Sequence, residues 1–393
     1  MGIVYPKNVI KIANILAERG YRAYAVGGCI RDSLMGKLPS DWDMTTDASP
    51  EKMIEIFDSV GVRTIPTGLK HGTVTVLLDG EQYECTTFRI DGSYTDSRHP
   101  DRVIFTQKLA EDLKRRDFTV NAMAADPLLQ GEDDEITDLF GGRKDIKNKV
   151  IRCVGEPRTR FTEDALRILR AVRFATVLDF QICAETKKAA QELGARLENV
   201  SAERKKTELE KILLSDRANS GVSLLCEMGL SKHIHPNIKT PTISISSLSK
   251  RFAPRLAALF AEGDVPDLSC LKLSRAESSE VSLLCAQDMF KPQKTPQNAR
   301  HLLSIYGEAA ADAAILREQP ELAEIVREES DKNPCVQIRD LCISGNHLIA
   351  QGIEPRSIGK IMSALLREVI ERPESNREDI LMCLAKDIYS KDI

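Results

Sequence analysis

An α+β fold, with a small mixed sheet plus helices in the N-terminal third and helices alone thereafter, is what this 393-residue sequence predicts. Three observations carry it. Short runs of β-branched and aromatic residues recur between Gly, Asp and Pro up to about residue 145. Beyond that, apolar residues recur at i, i+3, i+4. Aromatic content of 5% beside 29% charged residues fits a soluble, helix-rich globular chain.

In chain order, MGIVYPKNVIKIANILAERG carries Lys7 and Lys11 inside an apolar pattern and reads as amphipathic, so neither an export nor an anchoring signal is expected. RAYAVGG, HGTVTVLLDG, QYECTTFRI and RVIFT read as strands of a small sheet flanked by helices. EDALRILRAVRFA, SAERKKTELEKIL and GKIMSALLREVIE follow helical spacing, and Ile358, Ile361, Met362, Leu365, Leu366 and Val369 form a packing stripe. Boundaries at Gly141-Gly142, Val200-Ser201 and Asp331 to Pro334 divide the chain into 1–142, 143–200, 201–330 and 331–393. No apolar run approaches the ~20 residues needed to span a bilayer. Ten single cysteines without a C-x-x-C pair fit a reducing, cytoplasmic location.

A net charge of −4 argues weakly against nucleic acid, yet residues 143–173 hold ten basic and four acidic residues, a local excess of six. An anionic partner is one reading and a solvated helix face the other.

The segment GGCIRDSLMGKLPSDWD, residues 27–43, is the first constellation. Gly27-Gly28 follows AYAV, so backbone amides can approach a ligand closely, and Arg31 adds a forked cation; together they suit phosphate oxygens. Asp41 and Asp43 project from one face, with Trp42 on the other, if they lie on a strand. Two close carboxylates favour bound cations. Hard oxygen ligands select Mg²⁺, with Mn²⁺ possible, and a two-ion site can activate a hydroxyl while neutralising a triphosphate. Glu84 in QYECTTFR is the expected third acid, since an ionised side chain amid a β-rich run is costly without a partner. Taken singly, a D-x-D or a Gly-Gly is mostly a turn. Their order and spacing resemble the signature of the nucleotidyltransferase superfamily, which implies a polymerase-β-like catalytic head.

The second constellation begins with RRDFTVNAMA, residues 115–124, whose cations, acid and amide suit phosphate and sugar hydroxyls. In TEDALRILRAVRF, at 100° per residue, Glu163, Asp164, Arg167 and Arg170 share an arc of about 120° opposite Ala165, Ile168, Leu169 and Val172. Thr162 as an N-cap is the plainer account of the acids, though not of the arginines. An Asp beside an Arg can read a base edge: the carboxylate accepts from an exocyclic amine and the guanidinium donates to the adjacent ring nitrogen. Cytosine and adenine present that pattern; uracil and guanine reverse it. Two mismatched contacts at ~1–3 kcal/mol each give roughly 30-fold to 10⁴-fold discrimination, so CTP and ATP are the expected substrates.

GGCIRD with DWD, RRDFTVNAMA, LFGGRKDIKNKVIRCVGE, EDALRILRAVRF and SAERKKTELEKIL resemble successive motifs of class II tRNA nucleotidyltransferases, the CCA-adding enzymes, and the related bacterial poly(A) polymerases. The resemblance covers about residues 22–215, and ISGNHLIAQGIEPRSIGKIMSALLREV is similar to the C-terminal part of bacterial members. It implies a seahorse-like succession of catalytic head, neck, body and tRNA-binding tail. It implies metal on Asp41 and Asp43 with Glu84 as the third catalytic acid, and Gly28, Arg31 and Arg116 on the triphosphate. It also implies Asp117 near the ribose, Asp164 with Arg167 on the base, and Arg170 and Arg173 completing the nucleotide pocket.

The resemblance further implies that DGSYTDSRHPDR is the loop that switches the pocket from C to A, with His99 standing where relatives often carry a second basic residue. Its presence favours a complete CCA-adding or an A-adding enzyme over one that adds only CC; addition of C, C and A is the first reading, and addition of A alone, to tRNA ending in CC or as poly(A), the second. A non-catalytic RNA-binding protein on this scaffold is the third reading, opposed by the intact acids. No His-Asp dipeptide occurs, so an appended phosphohydrolase domain is not expected. tRNA phosphates are expected to meet bases such as Lys205, Lys206, Lys250, Arg251 and Arg255, with no membrane and no obligate protein partner.

Overall fold

Alternation of side chains along the N-terminal strands fixes which face of the sheet is covered. The computed structural model describes residues 3–92, 103–129, 136–260, 265–286 and 293–392. Helix α1 (Lys7–Ala17) leads to β1 (Ala23–Val26), the glycine turn and α2 (Gly28–Leu34), then β2 (Met44–Thr46) and α3 (Pro50–Ser59). Next come β3 (Arg63–Gly68), β4 (Thr73–Leu78), β5 (Glu81–Thr87), β6 (Arg89–Asp91), β7 (Val103–Phe105), α4 (Leu109–Lys114), β8 (Met123–Ala125) and β9 (Ile136–Asp138). Among the described residues seven strands join in the order β3-β4-β5-β2-β1-β8-β9. Neighbours are antiparallel except β2 and β5, which are parallel.

In β4, Val74, Val76 and Leu78 are buried, and in β5, Tyr83 and Cys85. They share one core with Ile12 and Leu16 of α1 and with Met53, Ile56 and Phe57 of α3. The period-two pleat therefore leaves Gln82 and Glu84 of β5 on the opposite, water-facing side. Ser49 caps α3 by accepting from the Lys52 amide at 3.3 Å, with Pro50 at the first helical position where no amide is needed.

The chain continues through α5 (Gly142–Lys147), β10 (Val150–Ile151), α6 (Pro157–Glu163), α7 (Leu166–Leu178), β11 (Gln181–Ile182), α8 (Ala184–Glu192), α9 (Ala202–Leu213) and α10 (Ala218–Glu227). Two sequence expectations are corrected here. The region after residue 145 is not wholly helical, because β10 and β11 form a two-residue parallel pair. And the EDALRILRAVRF segment is not one helix. Asp164 is extended (φ −141°, ψ 104°), and its Oδ1 accepts the Leu166 amide at 3.0 Å. An Asp that captures a nearby amide starts a new helix, so α6 ends at Glu163, and Thr162 lies inside α6 instead of capping α7. The apolar face of α7 is as expected: Ile168, Leu169 and Val172 are fully buried.

By its contacts the chain divides into two units, Met1–Pro236 and Asn237–Ile393, a division that falls within the 201–330 segment. The second unit holds α11 (Phe252–Ala257), α12 (Arg275–Cys285), α13 (Pro296–Tyr306), α14 (Ala310–Leu316), α15 (Pro320–Asp331), α16 (Gly345–Ala350), α17 (Pro355–Glu371) and α18 (Glu378–Asp392). Buried Arg300 ties three of them together, pairing with Glu329 at 2.8 Å and donating to the Ile370 and Glu371 carbonyls. On α17, Ile361, Met362, Leu365 and Val369 are buried with Leu348, Leu381 and Ala385. No helix among the described residues is long and apolar enough to cross a membrane, and the ten cysteines are free thiols.

Candidate active site

Asp41 and Asp43 lie just before β2, not on it, because ladder pairing with β1 begins at Met44. The alternation survives without the strand. Asp41 and Asp43 are exposed, whereas Trp42 packs on the core with its ring 5.6 Å from that of Tyr5. The Val26 amide donates to the Asp43 carbonyl at 3.0 Å, fixing that backbone against β1. Register Met44↔Cys85 in the parallel β2–β5 pair sets Asp43 level with Glu84 one residue back. Glu84 is exposed, so the expectation that a costly burial would demand a partner is corrected: register, not desolvation, brings it beside Asp43.

Although water reaches Asp43, neighbouring atoms displace much of its hydration. That desolvation first, then the charges of Asp41 and Glu84, push its pKa from 3.8 up to about 6, with Arg116 acting in the opposite sense. Among the described residues no three Asp, Glu, His or Cys side chains converge into a preformed cage, and Asp41 accepts instead from Ser40 Oγ at 2.9 Å. Such an open set of like-charged hard oxygens fits a divalent ion that completes its shell with phosphate oxygens and water.

Gly27 has φ +83° and precedes the first turn of α2, whose leading amides have no intrahelical acceptors. A Cβ at Gly27 would lie 3.2 Å from Arg116 Nη1, so the glycine lets that guanidinium sit over the turn. Arg116 Nη2 donates to Asp112 Oδ2 at 3.2 Å, and Arg115 Nε donates to Asp112 Oδ1 at 3.0 Å. Fully buried Asp112 thus aims both arginines and also accepts from Thr45 Oγ1 at 3.3 Å. Arg31 is buried, forks onto Asp32 and donates to Asn121 Oδ1 at 2.6 Å. Gly27→Ala is expected to cost on the order of 1–3 kcal/mol through its positive φ and to raise the KM for nucleoside triphosphate, read from melting curves and initial rates.

Asp117 Oδ2 accepts from Arg170 Nε at 2.7 Å, and its Oδ1 accepts the Phe118 amide at 2.8 Å. Arg173 faces buried Glu208 of α9 at 3.1 Å. Arg31, Arg170 and Arg173 surround the Phe174 ring at 5.4, 5.3 and 4.0 Å, so α2 and α7 bring three cations to one aromatic side chain. Asp164 and Arg167, three residues apart, each bond to further groups. Asp164 Oδ2 accepts from Arg204 Nη2 at 2.8 Å; Arg167 Nη1 donates to Glu163 Oε2 at 2.7 Å and to the Arg160 carbonyl, and its Nη2 donates to the Arg115 carbonyl.

Burial raises the pKa values of Asp112 and Asp117, but Arg116 and Arg115 for the first, and Arg170 with Arg167 for the second, outweigh it and hold both carboxyls below the usual range. A depressed carboxyl stabilises the fold above its unfolded pKa, near 3.9, and that stability is lost as pH falls through the folded value. Urea midpoints are therefore expected to fall steeply below about pH 4, and Asp117→Asn to flatten that fall.

Sequence reasoning missed Asp112, Phe174, Arg204 and Glu208, whereas Asn121 is the amide already singled out in RRDFTVNAMA. Asp112 carries a sequence signal in its i+3 and i+4 spacing to Arg115 and Arg116, and Phe174 one in its i+4 spacing from Arg170. Of the bases expected to meet RNA, Lys205 and Arg255 are corrected: both are buried and donate to internal carbonyls, of His233 and of Leu248 and Ser249. Arg251 pairs with Glu280 at 2.6 Å. Most of the expected C-to-A switching loop, including His99, lies outside the described residues.

A family model described as the Poly A polymerase head domain matches residues 23–152, and one described as a probable RNA and SrmB-binding site of polymerase A matches residues 179–240. The CCA-adding enzyme of Leuconostoc citreum is 37% identical over 392 residues, covering 96% of this chain and 95% of its own. The crystal structure of the Bacillus stearothermophilus CCA-adding enzyme in complex with CTP superposes with TM-score 0.81 at 30% identity, covering 99% of both chains. The Thermotoga maritima CCA-adding enzyme complexed with tRNA shares the fold at TM-score 0.69 and 21% identity, over 98% of this chain and 97% of its own.

Proposed function

Since this chain belongs to the CCA-adding enzymes of the tRNA nucleotidyltransferase and poly(A) polymerase family, we propose that it adds C, C and A to tRNA 3′ ends without a template, using CTP and ATP and releasing pyrophosphate. The observation that carries this reading is Arg116. Its charge acts on Asp43, while its guanidinium lies over Gly27, so the acidic site and the glycine turn form one continuous place for a triphosphate.

Asp41 and Asp43 are the residues that would hold Mg²⁺, with Glu84 beside them, in a two-ion arrangement. Bound Mg²⁺ supplies activation of the attacking 3′ hydroxyl and offsets charge on the departing pyrophosphate. The chain itself supplies position. The Gly28 turn, Arg31 and Arg116 orient the phosphates; Asp112 and Asn121 hold those two arginines. Asp117, anchored by Arg170, addresses the ribose. Asp164 and Arg167 take the base edge, and Arg170 and Arg173 close the pocket around Phe174. In this reading residues 1–142 are the catalytic head, 143–200 the neck, 201–330 the body and 331–393 a tail that meets tRNA. tRNA is expected to be held mainly through its phosphates, so binding should weaken steeply with salt.

Incubating the protein with tRNAs lacking three, two or one terminal nucleotides, each with CTP or ATP alone, tests the proposal. CTP should extend the first two, and ATP only the tRNA already ending in CC. Extension by ATP alone throughout, with CTP never incorporated, would replace it with an A-adding enzyme.

A further inference from the structure

Arg204 of α9 donates from Nη2 to Asp164 Oδ2 at 2.8 Å across 40 residues of chain, and both side chains are largely shielded from water. The other oxygen, Oδ1, accepts the Leu166 amide at 3.0 Å. With one oxygen fixed to a helix start and the other to a guanidinium, the plane of the carboxylate is set. Each oxygen still has a lone pair for a ligand.

Asp164 needs such an anchor because of where it sits. It lies at the extended break between α6 and α7, so no helical turn packs its side chain into one rotamer. The α9 helix is suited to provide one. Four residues after Arg204, on the same helical face, Glu208 lies 3.1 Å from Arg173 and 4.0 Å from Arg170. A single face of α9, one cation and one anion, therefore reaches both the carboxylate of the base reader and the arginines beside it.

Resting on the base-reading assignment above, we propose that Arg204 is a positioning residue that determines specificity through Asp164. It holds the carboxylate in the orientation that accepts the exocyclic amine of cytosine or adenine. Without it the carboxylate rotates, the contact to the correct base weakens, and the contact to uracil or guanine, mismatched already, loses little. Preference falls because the right nucleotide is bound less well. A merely structural Arg204 would instead lower stability with nucleotide choice unaltered, and a phosphate-contacting Arg204 would raise the KM for tRNA.

The test uses the full chain, tRNA lacking its last three nucleotides, and CTP or UTP at varied concentration. Arg204→Ala is expected to raise the KM for CTP about tenfold with a smaller change in kcat, and to lower the CTP over UTP preference by about the same factor. The KM for tRNA should stay as in the wild type. Arg204→Lys should restore part of the preference, and adding Arg204→Ala to Asp164→Ala should cause no further loss. Should Arg204→Ala fail to fold, Arg204→Gln, which keeps the aliphatic stem, carries the same expectation. An unaltered preference in the Arg204 variant, or an equal loss in the Asp164→Ala background, overturns the proposal. Preference lost in Asp164→Ala but kept in Arg204→Ala overturns it alone. Preference kept in Asp164→Ala overturns the base-reading assignment and this proposal with it.

Discussion

Asp43→Asn is expected to lower nucleotide incorporation on the order of a thousandfold while leaving the fold intact and slightly more stable in the absence of divalent ions. Both halves follow from one electrostatic fact. Desolvation first, and then the charges of Asp41 and Glu84, lift the Asp43 pKa to about 6. An acid whose folded pKa is raised stabilises the fold only while protonated, and that contribution is lost as pH rises through the folded value. At neutral pH the ionised group is therefore a liability. Because the side chain is exposed, screening limits the gain on neutralising it to under about 1 kcal/mol. Added Mg²⁺ should raise the melting temperature of the wild type more than that of the variant. Full activity of Asp43→Asn, or equal stabilisation of both proteins by the ion, would remove Asp43 from the metal site.

Replacing Asp164 and Arg167 together with alanine is expected to erase the choice among bases. The discrimination lost should be roughly 30-fold to 10⁴-fold, the worth of two desolvated hydrogen bonds. Sequencing the extended tRNA 3′ ends with all four nucleotides present reads it directly. Arg167 also donates to the Arg160 and Arg115 carbonyls, so the double variant removes both hydrogen bonds and should lose some stability as well. Melting curves separate that loss from specificity, and Asp164→Ala alone, which spares both carbonyls, should show the change in base choice with less destabilisation. An unaltered trinucleotide added at normal speed would contradict the assignment.

What the sequence disclosed and what it hid divide along chain separation. β4 and β5 were legible because Val74, Val76, Tyr83 and Cys85 alternate with polar neighbours, and the packing stripe of α17 because Ile361, Met362, Leu365 and Val369 recur at helical spacing. Asp41 and Asp43 were legible as a pair facing away from Trp42, though not as residues preceding the strand. Glu84 was chosen on the wrong ground, since the β2–β5 register, unseen in the sequence, sets it beside Asp43. The break at Asp164 was hidden because a capping Asp and a surface helix Asp look alike until the backbone is known. Arg204 and Glu208 could not be found at all: each acts on residues of a different element, and no local spacing announces a contact made across tens of residues.

If side chains, with no complementary strand, choose the nucleotide, equilibrium binding of CTP, ATP, UTP and GTP to the protein with no RNA present measures that choice most directly. CTP and ATP are predicted to bind at least roughly 30-fold more tightly than UTP and GTP. Equal affinity for all four would contradict it.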